Sequence, residues 1–138
     1  MMANVVLPKV RMFIPCLAVE IGPGKPITIR SPLHTIRMAP GVTAKYILDE
    51  MWFYIVLTDG VGTFRLSVEL HGMDEIVLRK TEPETVTFVG GSQLNVRELR
   101  IPMESVPLAR PGIYEFRLIA NHAHLEDGGT ALLRVLAG

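Results

Sequence analysis

The stretch that decides the fold is residues 63–72, TFRLSVELHG, in which apolar and polar side chains alternate without interruption. The apolar positions are Phe64, Leu66, Val68 and Leu70, and the polar positions are Arg65, Ser67, Glu69 and His71. Successive side chains of a β-strand point to opposite faces of its sheet. The alternation therefore predicts a strand that is buried on one face and exposed to solvent on the other.

The C-terminal segment alternates in the same way on both sides of a predicted turn. After Pro111 and Gly112, one face carries Tyr114, Phe116, Leu118 and Ala120, and further on Leu133 and Val135 share a face. Between the two runs lies Asp127-Gly128-Gly129, and these residue types tolerate the positive φ angles of a tight turn. The pattern predicts a β-hairpin over residues 113–136.

Residues 51–57, MWFYIVL, are apolar at nearly every position. In a strand, Trp52, Tyr54 and Val56 would lie on one face, and the four residues between and beside them would lie on the other. A strand that is apolar on both faces is covered on both faces, by its own fold or by a partner subunit. We therefore expect a homo-oligomer, or a complex with another protein, in which Trp52, Phe53 and Tyr54 contribute to the interface. For Trp52 and Tyr54, a place in the core is the competing interpretation.

Six further segments have the length and composition of strands: 11–20, 27–30, 33–38, 76–80, 84–89 and 94–101. In the last of these the apolar phase shifts between Val96 and Leu99, which predicts a β-bulge. One short segment, TAKYILDEM at 43–51, has the spacing of a helix.

About eight to nine short strands with regular turns predict an all-β chain, folded as an antiparallel two-sheet β-sandwich of immunoglobulin-like or C2-like type. A closed β-barrel is the alternative. At 138 residues, the whole chain from 1 to 138 is expected to be a single domain.

Composition excludes several classes of function. The chain has 14 basic and 14 acidic residues, and its ten arginines are scattered, so no basic stripe predicts nucleic-acid binding. The N-terminal segment lacks the basic start of a signal peptide, and no apolar run reaches the ~18 residues of a membrane span. We expect a cytoplasmic protein without membrane contact, whose single cysteine, Cys16, is a core residue.

His122 and His124 are the candidate metal ligands. If the preceding strand continued through them, both imidazoles would lie on one face about 6.5–7 Å apart, close enough to bind one zinc ion. Zinc needs at least three protein ligands, and the candidates for the third are Glu126, Asp127, His71 and His34. Nothing in their spacing selects one of these residues, and an ordinary exposed hairpin end is the competing interpretation.

Other chemistry has weaker support. Asp49, Asp59, Asp74 and Asp127 lie near separate turns, where turn formation accounts for them better than a calcium site does. No serine stands in a Gly-x-Ser-x-Gly elbow, and the glycines of VGGSQ (89–93) lack the lysine of a phosphate-binding loop. We expect no cofactor and no catalytic residue.

Taken together, these segments resemble a family of small bacterial β-sandwich proteins of unknown function. The resemblance extends from about Phe13 to Val135 and is carried mainly by Phe13 and Cys16, a proline-bearing turn near residue 40, residues 57–70, and a C-terminal hairpin of the form Pro-Gly-x-Tyr-x-Phe-x-Leu. The matching hairpin positions are Pro111, Gly112, Tyr114, Phe116, Leu118, Leu133 and Val135. The resemblance implies a fold and a bacterial or phage source, and it assigns no functional residue.

These patterns predict a non-catalytic module that acts by protein–protein association or self-assembly. The contact would involve residues 51–57 and a sheet edge, where backbone pairing with the partner would supply affinity. The first alternative is a metal-binding protein or metal-dependent enzyme that uses His122 and His124. The second is a small-ligand or carbohydrate-binding module, which would need exposed aromatic side chains on one face.

Overall fold

The computed structural model describes residues 5–20, 27–37, 46–89, 95–108 and 110–137. These residues form eleven strands, β1 (Lys9–Glu20), β2 (Thr28–Pro32), β3 (Thr35–Arg37), β4 (Tyr46–Thr58), β5 (Gly62–His71), β6 (Val77–Lys80), β7 (Glu84–Phe88), β8 (Val96–Leu108), β9 (Gly112–Ala120), β10 (Ala123–His124) and β11 (Thr130–Leu136). No helix among the described residues is long and apolar enough to cross a membrane.

The strands form two sheets packed face to face, which confirms the predicted β-sandwich. One sheet has four strands in the order β2-β1-β4-β8, and the other has seven, with β3-β11-β9-β5-β6 as its main path. Both sheets end in edge strands within the described ranges, so the closed-barrel alternative is wrong. Every pair of strands is antiparallel except β3 and β11, which run parallel.

The core fills the space between the sheets, and the alternating segments supply it as predicted. The apolar residues of β5 and the face of β9 that begins at Tyr114 are almost completely buried. Phe53 of the four-stranded sheet bridges the two layers: its ring stacks on Phe13 with centroids 5.5 Å apart and meets the edge of Phe116 at 4.9 Å. Such offset and edge-to-face pairs are the favoured aromatic arrangements.

The predicted helix over residues 43–51 is wrong, because β4 already begins at Tyr46; residues 43–45 lie outside the described ranges. Leu48 packs against the same core as Met51, although residues three positions apart in a regular strand point to opposite faces. The phase of burial thus changes near Asp49. This change leaves an apolar spacing of three that imitates a helix in the sequence.

The predicted bulge in residues 94–101 is also wrong. From Val96 to Leu108, β8 pairs with β4 in one unbroken register, and Val96 is exposed; Leu94 lies outside the described residues. The phase of burial changes further along, at Ser105, whose φ is 52°. Met103 and Val106, which lie opposite Met51 and Leu48, are both buried although they are three positions apart.

The connection from β8 to β9 passes from one sheet to the other and is held by Tyr114. The Tyr114 hydroxyl donates a hydrogen bond to the carbonyl of Arg110 at 2.6 Å and accepts one from the Arg110 N–H at 3.1 Å. A tyrosine that bonds backbone a few residues upstream in this way is a feature of immunoglobulin-type sandwiches. Gly112, at φ 151°, lies so close to the Met73 side chain that a Cβ atom would collide with it.

Candidate functional site

The exterior of the four-stranded sheet carries an apolar group that we call the outer apolar face, consisting of Met12, Ile14, Trp52, Tyr54 and Val56. Cross-strand pairing brings these residues together: Met12 of β1 lies opposite Val56 of β4, and Ile14 lies opposite Tyr54. The alternate residues of β4 point into the core, as the sequence predicted. The second sheet therefore covers only one side of β4.

The residues of this face are exposed to different degrees. Met12 is 49% exposed, Ile14, Trp52 and Val56 are half-buried, and Tyr54 is buried at 7%. The half-buried side chains pack against a small second cluster that contains Cys16, Val19 and Tyr54 and is separate from the main core. Tyr54, at the centre of the face, is thus buried, whereas the side chains around it are accessible to solvent.

The three predicted interface residues do not share one environment. Trp52 and Tyr54 lie on the outer apolar face, whereas Phe53 is completely buried between the sheets and is a core residue. β4 lies between β1 and β8 and pairs with both. A partner could therefore contact β4 through its outward side chains but could not extend the sheet at this strand.

Charged side chains of β8 border the outer apolar face. The Arg100 guanidinium lies 6.0 Å from the centre of the Trp52 ring, within the range of a cation–π contact. Burial raises the pKa of Tyr54, and the nearby carboxylate of Glu98 raises it further. One border of the face therefore presents a cation and an anion two positions apart.

Cys16 is a core residue of the small cluster, as the sequence predicted. Its side chain is completely buried, and its Sγ atom lies 3.5 Å from the carbonyl oxygen of Trp52. Burial raises the pKa of the thiol, partly offset by a hydrogen bond from the backbone at Ala18. A raised pKa keeps the sulfur in its unreactive thiol form.

The two candidate metal ligands are separated by a turn. The chain reverses at Asn121 and His122, which have φ angles of 55° and 121°, and β10 then folds back so that His124 lies opposite Ile119. The expectation that His122 and His124 share one face of a continuing strand is wrong. His124 instead supports the next turn, with its Nε2 atom 2.9 Å from the Thr130 hydroxyl.

Within the described part of the chain, no three His, Cys, Asp or Glu side chains lie close enough together to hold a metal ion. Of the third-ligand candidates, His71 bonds Glu69 at 3.0 Å and His34 is exposed beside Thr35. Two of the aspartates considered for calcium are in ion pairs: Asp59 with Arg11 at 2.8 Å and Asp74 with Arg110 at 3.4 Å.

His122 lies at a cavity of about 260 Å³ on the exterior of the seven-stranded sheet. Arg65 and Ser67 of β5, Lys80 of β6 and Asn121 of the turn line it as well. The sequence did not predict that Arg65 and Lys80 would join His122, because strand pairing and the chain reversal at Asn121 bring them together. The pair Asn121-His122, placed directly after an alternating run, was the one local indication of a turn.

No family model matches this chain, and no curated protein matches it.

Proposed function

We propose that this chain is a non-catalytic association module that forms a homo-oligomer through its outer apolar face. The observation that supports this most strongly is the group of four partly exposed apolar side chains, Met12, Ile14, Trp52 and Val56, on the side of the sheet that points away from the core. Contiguous apolar surface of this kind marks interaction sites. Its burial would contribute about 25 cal/mol for each Å² removed from water.

A second copy of the chain is the partner that the charges favour. Glu98 and Arg100 border the face side by side on β8. In a two-fold symmetric dimer each patch meets its own copy, so Arg100 of one subunit could pair with Glu98 of the other. The chain's net charge of zero also means that two copies have no overall charge repulsion to overcome.

We expect this association to take place in the bacterial cytoplasm. The bacterial source rests on the resemblance of the hairpin that begins at Pro111. The reducing compartment is consistent with one buried cysteine, Cys16, in a thiol form.

The two alternatives have less geometric support. A metal site would need His122 and His124 on one side of the chain, and the turn between Ala120 and Ala123 separates them. A carbohydrate site would need exposed aromatic rings, whereas Tyr54 and Tyr114 are buried and Trp52 is half-buried. Zinc content by elemental analysis tests the first alternative, and glycan-array binding tests the second.

The experiment compares the oligomeric state of wild type and two matched surface variants by sedimentation velocity over a range of concentrations. Met12→Glu places a charge on the outer apolar face, at a side chain that is 49% exposed. Leu132→Glu places the same charge on the exterior of the other sheet, at a side chain that is 58% exposed. Because both side chains are already in contact with water, both monomers should stay folded, which circular dichroism checks.

We expect wild type and Leu132→Glu to associate with the same affinity and Met12→Glu to be monomeric at concentrations where wild type is not. A wild type that remains monomeric at every concentration contradicts the proposal. Loss of association in Leu132→Glu alone would assign the contact to the seven-stranded sheet and also contradict it.

A further inference from the structure

The cavity beside His122 is built from parts of the chain that are far apart in sequence. Arg65 and Ser67 come from β5, Lys80 comes from the edge strand β6, and Asn121 and His122 form the turn after β9. Ile119 and Pro83 supply its apolar surface. Strand pairing sets these positions, since Ser67 lies opposite Ile119 and Lys80 lies opposite Glu69.

The polar side chains of this cavity are hydrogen-bond donors. The Oδ1 atom of Asn121 accepts the backbone N–H of Arg65 at 2.8 Å, which leaves the amide Nδ2 group with its two N–H bonds to offer. Arg65 and Lys80 can only donate, and the Ser67 hydroxyl and the His122 ring can each donate a bond. Among the described residues that line the cavity, none is a carboxylate.

Charge around the cavity is positive. In the part of the chain that the structure describes, the Arg65 guanidinium is in no ion pair. Lys80 lies 3.9 Å from Glu69, but that carboxylate also bonds His71 at 3.0 Å and does not line the cavity. An anion entering the cavity would therefore meet two cationic groups, whereas a divalent metal ion would be repelled by them.

The turn that carries His122 is the two-residue turn of the β9–β10 hairpin, in which Ala120 lies opposite Ala123. The commonest turn of this kind has positive φ at both central residues. Asn121 and His122 both have positive φ, and the value at His122, 121°, is one that glycine adopts far more readily than any residue with a Cβ atom. The hairpin turn therefore accounts for the backbone conformation of His122, and it places the imidazole at the cavity.

We infer that this cavity binds an oxyanion, namely the phosphate or carboxylate group of a small molecule. Hydrogen bonds from charged donors to such groups are stronger than those between neutral groups, and the planar guanidinium of Arg65 can donate two in parallel. The site lies on the opposite exterior of the sandwich from the outer apolar face and does not depend on the proposed association.

The inference is tested by titrating the ¹⁵N-labelled protein with inorganic phosphate, acetate and chloride at constant ionic strength. Phosphate or acetate, but not chloride, should shift the amide resonances of Arg65, Asn121 and His122 in a saturable manner. The tighter of the two ligands identifies the preferred oxyanion. Absence of localised shifts with both phosphate and acetate overturns the inference.

Asn121→Asp is the sharpest variant because it is nearly isosteric. The new carboxylate keeps an acceptor for the Arg65 N–H and tolerates positive φ, but it replaces the Nδ2 donor with a negatively charged oxygen. We expect affinity for the preferred oxyanion to fall by about tenfold or more, with an unchanged melting temperature. Unchanged affinity would contradict the assignment.

Arg134→Gln is the matched control. It removes one positive charge from an exposed position on β11 of the same sheet, outside the cavity. Its affinity should equal that of wild type. Arg65→Gln removes the same charge from the lining of the cavity and should weaken binding. If Arg134→Gln weakens binding as much as Arg65→Gln does, the attraction is a general effect of surface charge and the site is refuted.

His122→Gly separates a binding role from a structural one. Glycine relieves the strain at φ 121°, so the variant should melt at the same temperature as wild type or higher, while its affinity for the oxyanion falls. A variant that melts lower and binds as well as wild type would show that His122 serves the turn alone.

Discussion

The two exteriors of this sandwich differ although they enclose one core. On the four-stranded sheet the outward residues at the centre are apolar, as in the pairs Met12–Val56 and Ile14–Tyr54. On the seven-stranded sheet most of the outward residues at the centre are polar, as are Arg65 and Ser67 of β5, and Arg117 of β9 bonds Glu115 at 2.6 Å. Two exposed apolar side chains flank that ion pair: Leu132 of β11 lies directly opposite Glu115, and Ile113 precedes Glu115 by two positions on β9.

The difference shows how one fold can separate two kinds of surface. A polar exterior with paired charges is stable in water and can hold donor groups for a small ligand. A centrally apolar exterior gains free energy by becoming covered. The following predictions, from the largest expected effect to the smallest, test whether the inner and outer faces of each sheet have these distinct roles.

Phe53→Ala and Trp52→Ala compare the two faces of β4 at adjacent positions. Phe53 contacts rings of both sheets, so its removal should lower the free energy of unfolding by about 3–5 kcal/mol. Trp52 is half-buried on the outside, so its removal should cost the monomer about 1 kcal/mol. Urea denaturation at low protein concentration measures both values. Equal losses would show that Trp52 is a core residue of the monomer.

Tyr114→Phe and Tyr54→Phe compare one tyrosine from each sheet. The Tyr114 hydroxyl bonds the Arg110 carbonyl and N–H, and losing both bonds should cost about 1–2 kcal/mol of unfolding free energy. The Tyr54 hydroxyl is beside the exposed carboxylate of Glu98, so its loss should cost less. Thermal denaturation of the two variants under the same conditions gives the order. The reverse order would mean that the turn before β9 does not depend on Tyr114.

Alkaline pH should weaken the outer apolar face selectively. The pKa of Tyr54 is raised above its ordinary value of 10.0 by burial and by Glu98, so the folded state holds this proton more tightly than the unfolded state. The contribution of this proton to the free energy of unfolding is present in full below pH 10.0, and it is lost as the pH rises through the folded-state pKa of Tyr54. Denaturation of wild type and Tyr54→Phe above that pH should therefore show a steeper decline for wild type. Parallel declines would contradict this account of Tyr54.

The smallest expected effect concerns the ion pair between Arg11 and Asp59, which lies at one end of β1 and β4. A hydrogen bond from Arg11, followed by one from Thr58, holds the pKa of Asp59 below its ordinary value of 3.8. The pair therefore contributes stability above pH 3.8, and this contribution is lost as pH falls through the lowered pKa. Asp59→Asn should show a slightly flatter acid denaturation profile than wild type. Because both side chains are exposed, added salt should reduce the difference.

The strands were predictable wherever one face was buried along a whole segment. β5 follows this rule from Phe64 to Leu70, and in β4 the burial of Phe53 beside the more exposed Trp52 matches the division of MWFYIVL into two faces. The pattern failed where the phase of burial changes inside a strand. In β4 the change gave Leu48 and Met51 the spacing of a helix. In β8 the change lies at Ser105, whereas the predicted strand stopped just before Pro102 and so did not include it. Proline is tolerated there because β8 is an edge strand.

The candidate sites were only partly predictable, because they depend on contacts between distant segments. Trp52 and Tyr54 could be placed on one face from local alternation alone. The partners of His122 could not be predicted, since Arg65 and Lys80 reach it only through the pairing of β5 with β6 and β9. In addition, the turn at Asn121 means that His122 and His124 do not lie on one face of a continuous strand, contrary to the prediction from the sequence.

Trp52 is the chain's single tryptophan, so its fluorescence reports directly on the outer apolar face. The most direct test measures its emission maximum and its quenching by acrylamide during dilution, alongside the molecular mass from light scattering. We predict that emission shifts to the red and quenching increases as the mass falls to that of the monomer, with both changes absent in Met12→Glu. Constant emission and quenching while the mass changes would show that the subunits associate elsewhere, and a constant monomer mass would show that they do not associate.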